Sequence, residues 1–141
     1  MSNIIRHCTQ VRVRYADTDK MGIVYNGNYL QFFEIGRTEL LRSIGLPYST
    51  LESEGFLLPV LEAHVEYLKP ARYDELLDIN TSYTEEHRPV ITLHYDVQVN
   101  GDTLARGYTR HSFVHAVTWK PVRPPRIFQD VIQNALSEIT S

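Results

Sequence analysis

The stretch from Tyr15 to Tyr29 holds the residues best placed to do chemistry. It reads Tyr15-Ala16-Asp17-Thr18-Asp19-Lys20-Met21-Gly22-Ile23-Val24-Tyr25-Asn26-Gly27-Asn28-Tyr29. Asp17 and Asp19 stand two residues apart just before a predicted helix start, and Gly22 and Gly27 let the backbone come close to a ligand. The first turn of a helix has N–H groups with no partner, and its dipole favours negative charge there. A carboxylate beside such a terminus suits acyl transfer. The carboxylate attacks or activates water, and the N–H groups hold the oxyanion. The same spacing fits two aspartates that cap turns, and on residue types alone both readings stand.

Other residues offer less. His111 and His115 are four apart on a predicted strand and so share a face, but no third ligand accompanies them and no metal site is expected. Glu34 and Arg37, at i and i+3 of a predicted helix, read as a pair or as interface packing. Lys69, Arg72, Arg123 and Arg126 could meet phosphate, though charge alone does not place them.

The elements that must position these groups follow from periodicity. Val11, Val13 and Tyr15 alternate with arginines, which predicts a strand. Tyr29, Phe32, Phe33, Gly36, Leu40, Leu41 and Ile44 recur at helical spacing and predict a helix over 28–44. Asn26 or Asn28 would cap it, Gly45 would end it and Pro47 would stop any continuation. Its apolar stripe is wide, so a sheet is expected to cover most of its circumference. Gly36 costs about 1 kcal/mol in mid-helix relative to Ala, which implies close packing there. Four strands are expected at 58–68, 77–83, 91–99 and 103–119, with an Asn100-Gly101 hairpin turn. An amphipathic helix carrying Phe128, Val131, Ile132, Ala135, Leu136 and Ile139 comes last. One long apolar helix and an antiparallel meander are best satisfied when the sheet wraps the helix, an α+β fold.

The 141 residues suit a single domain, with a core over about 8–121 and the C-terminal helix over about 125–138. Hydrophobic residues make up 43% and charged residues 22%, which excludes a disordered chain. A net charge of -3 argues against a nucleic-acid binder. Cys8 is the single cysteine, so a reducing cytoplasm is the expected compartment. The first ten residues lack the apolar run of a signal peptide, and no stretch approaches the ~18 apolar residues of a membrane span.

The Tyr15–Tyr29 stretch, followed by Phe32-Phe33-Glu34-Ile35-Gly36-Arg37-Thr38-Glu39-Leu40-Leu41-Arg42, resembles the 4-hydroxybenzoyl-CoA thioesterase family, closest to its Tol-Pal-associated, YbgC-like branch. Val65-Glu66-Tyr67, Pro70 to Glu75 and Ala105-Arg106-Gly107 add weaker matches, and the resemblance covers roughly residues 11–121. It implies a hotdog fold, a curved antiparallel sheet around a long helix. It also implies homodimers or homotetramers with sites between subunits, an acyl-CoA substrate and no cofactor or metal. Acyl carrier protein is a second possible thiol carrier.

On the same resemblance Asp19 is the catalytic carboxylate, as nucleophile or general base, with Asp17 in support. The N–H of Asn26, or of neighbouring Gly27, polarises the thioester oxygen. Tyr25 and Tyr29 read as lining the acyl pocket or as core packing, and Arg88 as a weak match to a basic position for CoA phosphate or as a solvated loop charge. Many relatives carry His where this chain has Asn26, and an amide cannot shuttle a proton near pH 7. Two other readings compete: a non-catalytic binder of acyl-CoA or acyl carrier protein, and a hotdog hydratase or dehydratase. The latter relies on a His paired with Asp or Glu, and no such pair stands near Asn26.

Overall fold

The computed structural model describes residues 3–140. The chain runs β1 (Ile4–Arg12), α1 (Tyr29–Ser43), α2 (Tyr48–Ser53), β2 (Phe56–Leu57), β3 (Val60–Tyr67), β4 (Leu76–Thr84), β5 (Val90–Val99), β6 (Asp102–His115), β7 (Pro121–Val122) and α3 (Arg126–Thr140). All strand pairs are antiparallel, in the spatial order β1-β4-β5-β6-β3, with β2 and β7 flanking the last residues of β6. This is the hotdog architecture, a long antiparallel sheet around one main helix.

Period-2 alternation puts one face of each central strand inward. Leu77, Ile79, Thr81 and Tyr83 of β4 and Ile91, Leu93, Tyr95 and Val97 of β5 are buried. They meet α1, where Phe33 stacks on Tyr95 with ring centroids 4.2 Å apart. Gly36 lies against β4, and a Cβ there would overlap Thr81 Oγ1 and the Ile79 methyl. The helix approaches this closely only because residue 36 has no side chain. α3 covers the other end of the same face, with Phe128 against Tyr83 and Phe113.

Four expectations need correction. The first strand spans Ile4–Arg12 rather than beginning at Val11. It was hidden because only Ile5 of its residues is buried, and the run from Arg6 to Gln10 is mostly polar. Pro47 does stop α1, but it also caps α2, a short helix the periodicity missed. Neither Asn26 nor Asn28 caps α1 through its side chain. A 3-10 turn over Asn26–Asn28 leads into the helix, and the Asn28 side chain donates to the Asp17 carbonyl at 2.8 Å instead. Finally, the sheet covers one side of α1, leaving Leu30, Gln31, Glu34 and Ile35 exposed.

The two long edge strands differ. β1 carries polar side chains on its outer face. β3 pairs with β6 on one side only, and Val60, Leu61, Tyr67 and Leu68 along it are exposed. The outer sheet face is polar and largely self-satisfied. Glu62 accepts from Tyr108 at 2.6 Å and pairs with Arg110 at 3.4 Å, while Glu66 pairs with Arg106 at 3.1 Å.

Candidate active site

The loop between β1 and α1 is built around Asp17. Its buried carboxylate accepts the Arg14 N–H at 2.8 Å and the Arg14 guanidinium at 3.0 Å, while its carbonyl accepts the Tyr25 N–H and the Asn28 amide. Burial pushes the Asp17 pKa up, but these Arg14 hydrogen bonds outweigh it and hold the group below the usual carboxylate range. Asp17 is thus an ionised anchor with its oxygens occupied.

Asp19 differs. Its backbone N–H bonds the Ile23 carbonyl at 2.8 Å, and Thr18 bridges Val24, so the loop folds back on itself. Gly22 turns it at φ +77°. The half-buried carboxylate accepts the Met21 N–H through Oδ1 at 2.8 Å. Oδ2 has no hydrogen bond among the described residues. The turn-cap reading thus describes one oxygen, which fixes the carboxylate, while the other stays available.

The returning arm ends at the start of α1. There Asn26 and Gly27 are exposed, and their N–H groups make no hydrogen bond among the described residues. They point a partial positive charge at whatever binds there. The segment 71–75 clamps the loop from below. Val24 N–H bonds the Ala71 carbonyl, Ile23 bridges Arg72, and Asp74 N–H returns to the Val13 carbonyl. This gives the weak Pro70–Glu75 match a concrete role. Tyr67, absent from the sequence prediction, also supports the helix start, donating its hydroxyl to the Asn26 carbonyl at 3.1 Å.

Not every predicted site residue gathers here. Tyr25 is 61% exposed beside the helix start, with its ring against Gly27. Tyr29 is 3% exposed and packs edge-on to Phe32 and Tyr67, so it belongs to the core. Arg88 sits in the β4–β5 hairpin and pairs with Glu86 at 3.3 Å. That hairpin lies beyond the Ile4–Thr84 end of the sheet, whereas the Asp19 loop leaves the Arg12–Leu76 end. Eight residues of strand separate the ends, about 25 Å. Within one chain, then, Tyr29 and Arg88 do not join Asp19. Met21, Tyr25, Tyr67 and Leu68 leave an apolar surface open around it.

The two histidines have other work. His115 Nδ1 accepts from the Val117 and Thr118 N–H groups. His111 is fully buried, with Nδ1 3.3 Å from the Leu58 carbonyl and Nε2 2.8 Å from Thr109 Oγ1. A carbonyl only accepts, so Nδ1 carries the proton and Nε2 accepts from Thr109. Thr109 Oγ1 in turn accepts from Tyr95 at 2.6 Å. Burial first, and Arg37 second, lower the His111 pKa to about 4, against hydrogen bonds at Leu58 and Pro59. The ring is neutral and structural.

Arg37 lies at the head of this chain. Burial opposes its charge, but the hydroxyls of Tyr95 and Tyr48 are within its reach and raise its pKa overall.

Comparisons with known proteins agree with this fold. Residues 13–136 match the model of the thioesterase-like superfamily. The Bacillus subtilis protein YneP is 35% identical over 123 residues, 86% of this chain and 88% of that protein. The Haemophilus influenzae acyl-CoA thioesterase YbgC is 34% identical over 117 residues, 82% of this chain and 86% of that protein. The solved structure of a DHNA-CoA thioesterase from Staphylococcus aureus is 31% identical, with a TM-score of 0.85, covering 96% of this chain and 91% of that one.

Proposed function

We propose that this chain, which belongs to the thioesterase-like superfamily, hydrolyses acyl-CoA thioesters with Asp19 as its reacting carboxylate. It is a thioester hydrolase with acyl-CoA thioesterases among its relatives. The single observation that carries the assignment to Asp19 is its divided carboxylate, one oxygen pinned by Met21 and the other unbonded. Asp17, two residues earlier, has no such freedom.

In this reading the thioester oxygen lies at the Asn26 and Gly27 N–H groups. As a nucleophile, Asp19 Oδ2 attacks the carbonyl carbon, the oxyanion forms at those donors, and the C–S bond breaks. Water then opens the resulting anhydride, giving free acid and CoA thiol. As a general base, Oδ2 instead takes a proton from an attacking water. The oxyanion contacts use the main chain, so Asn26 replaces a family histidine without removing them.

The oligomer is part of the proposal. β3 is an unpaired edge with exposed apolar residues, the surface a second copy would extend into a continuous sheet. Antiparallel pairing about a two-fold brings the Tyr67 end of one β3 beside the Val60 end of the other. It also brings the partner's β4–β5 hairpin, with Arg88, to the end of the sheet where Asp19 works. The compartment proposed is the cytoplasm. No described helix is long and apolar enough to cross a membrane.

The test is thiol release from short, long and aromatic acyl-CoAs. Release that disappears in Asp19→Asn supports the proposal. Tight binding without release would favour a non-catalytic binder, and a hydrated or dehydrated acyl product would favour the other hotdog chemistry.

A further inference from the structure

Arg37 is a buried group that the proposed reaction leaves unused. Its side chain is nine-tenths buried at 9% exposure, and no carboxylate lies within ion-pairing distance among the described residues. Its Nε is buried with no hydrogen-bond partner. The hydroxyls of Tyr48 and Tyr95 answer part of this guanidinium, and its unpartnered Nε leaves a donor for a further acceptor. Arg37 also lines a cavity of about 360 Å³ with Tyr48, Leu58, Pro59, Val60 and Trp119. Trp119 keeps a left-handed backbone, φ +59°, at this cavity.

Within one chain this cavity is remote from Asp19. Tyr67 holds the Asn26 turn at one end of β3, and Pro59 and Val60 line the cavity at the other, about 23 Å along the strand. Two-fold pairing of the β3 edges reverses that relation, because the Val60 end of the second copy then adjoins the Tyr67 end of the first. From this we infer that the partner's Arg37 forms the floor of the acyl pocket served by Asp19, and selects acyl groups whose far end carries a hydrogen-bond-accepting oxygen. The apolar walls take the body of the acyl group, and the guanidinium takes its terminal carboxylate or carbonyl. Glu34 and Glu52, exposed on the cavity wall, face the same opening. The inference rests on the proposed function and its edge-paired dimer.

Three acyl-CoAs of similar length test it: hexanoyl-CoA, adipyl-CoA with a terminal carboxylate, and 6-oxoheptanoyl-CoA with a neutral carbonyl. The wild type is expected to show a kcat/KM about tenfold or more higher for an acceptor-ended substrate than for hexanoyl-CoA, about 1.4 kcal/mol. The adipyl and oxoheptanoyl arms separate charge from hydrogen bonding. Arg37→Met brings that ratio toward one, and Arg37→Lys keeps part of it. Co-expressed Asp19→Asn and Arg37→Met chains recover acceptor-ended turnover, because one site of each mixed dimer joins an intact Asp19 to the partner's intact Arg37. Equal ratios in wild type and Arg37→Met, or no recovery in mixed dimers, would overturn the inference. If no acyl-CoA is hydrolysed, the proposed function fails instead. The Kd ratio of adipyl-CoA to hexanoyl-CoA, measured by calorimetry on Asp19→Asn with and without Arg37→Met, then decides the Arg37 role alone.

Discussion

Acidification should weaken this fold through His111 before Asp17 responds. The folded ring has a pKa of about 4 against an ordinary 6.5, so between those values the unfolded chain binds more protons than the folded one. The contribution of His111 is complete above about pH 6.5 and falls as pH drops toward 4. The full difference corresponds to about 3 kcal/mol at about 1.4 kcal/mol per pH unit. Between pH 7 and pH 5 the expected loss is about 2 kcal/mol, a large share of a typical folding free energy of roughly 5–15 kcal/mol. Asp17, whose folded pKa is depressed, contributes stability that is lost only below its ordinary 3.8. The two windows therefore separate. Urea unfolding at pH 7, 6 and 5 measures the slope, and His111→Gln supplies the comparison. That variant is expected to start about 1–3 kcal/mol less stable, since it leaves buried partners at Leu58 and Thr109 imperfectly met. It should then lack the His111 share of the slope. Ring-nitrogen NMR on the six histidines gives a direct view, in which one ring stays neutral, with its proton on Nδ1, down to pH 5. A wild type as steep as the variant, or a His111 ring that titrates near 6.5, would refute the reasoning.

Other outcomes follow from the same structure. Asp19→Asn should lower kcat for acyl-CoA hydrolysis by roughly a thousandfold while Tm stays within a few degrees, because Asn still accepts the Met21 N–H; continuous thiol detection and calorimetry check the two halves. Asn26→Ala should change kcat/KM by no more than about fivefold, since the proposed donor is the main chain; a hundredfold fall would reassign the role to the side chain. Gly36→Ala should destabilise by about 2 kcal/mol or more, read from denaturant midpoints, because its Cβ meets Thr81 and Ile79. Leu61→Asp on the β3 edge should shift sedimentation toward the monomer and lower activity in step; full activity in a monomer would end the shared-site reading.

Much of the fold was legible because helix and strand periods stay clean where burial is one-sided. Residues 91–99 alternate, and they form β5 over Val90–Val99. The polar edge strand β1 was less legible, since a strand that buries one side chain leaves almost no periodic signal. Gly36 announced close packing correctly, for a mid-helix glycine has few other uses. The Asp19 loop was legible as a cluster, but the division of labour between its two aspartates was not. That division depends on Arg14, whose exposed guanidinium reaches back to Asp17 and not to Asp19. Arg37 carried a readable signal: at i+4 from Phe33 and i-3 from Leu40 it lies within the buried stripe. Spacing could place a cation there without saying what answers it, because its Tyr48 and Tyr95 partners come from other elements.

The open edge of β3 also bears on how the protein is made. On the proposed dimer, each new chain displays, until a second copy arrives, a row of unpaired backbone donors and acceptors flanked by Val60, Leu61 and Leu68. Such an edge accepts any extended segment, native or not. Glu62 and Glu66, interleaved along it and ion-paired to β6, place negative charge where an unrelated strand would have to dock. In refolding, the proposed assembly competes with clumping through the same edge, and both are second order in chain. The yield of native protein should depend on how fast correct partners meet, with these two glutamates as gatekeepers against the wrong ones.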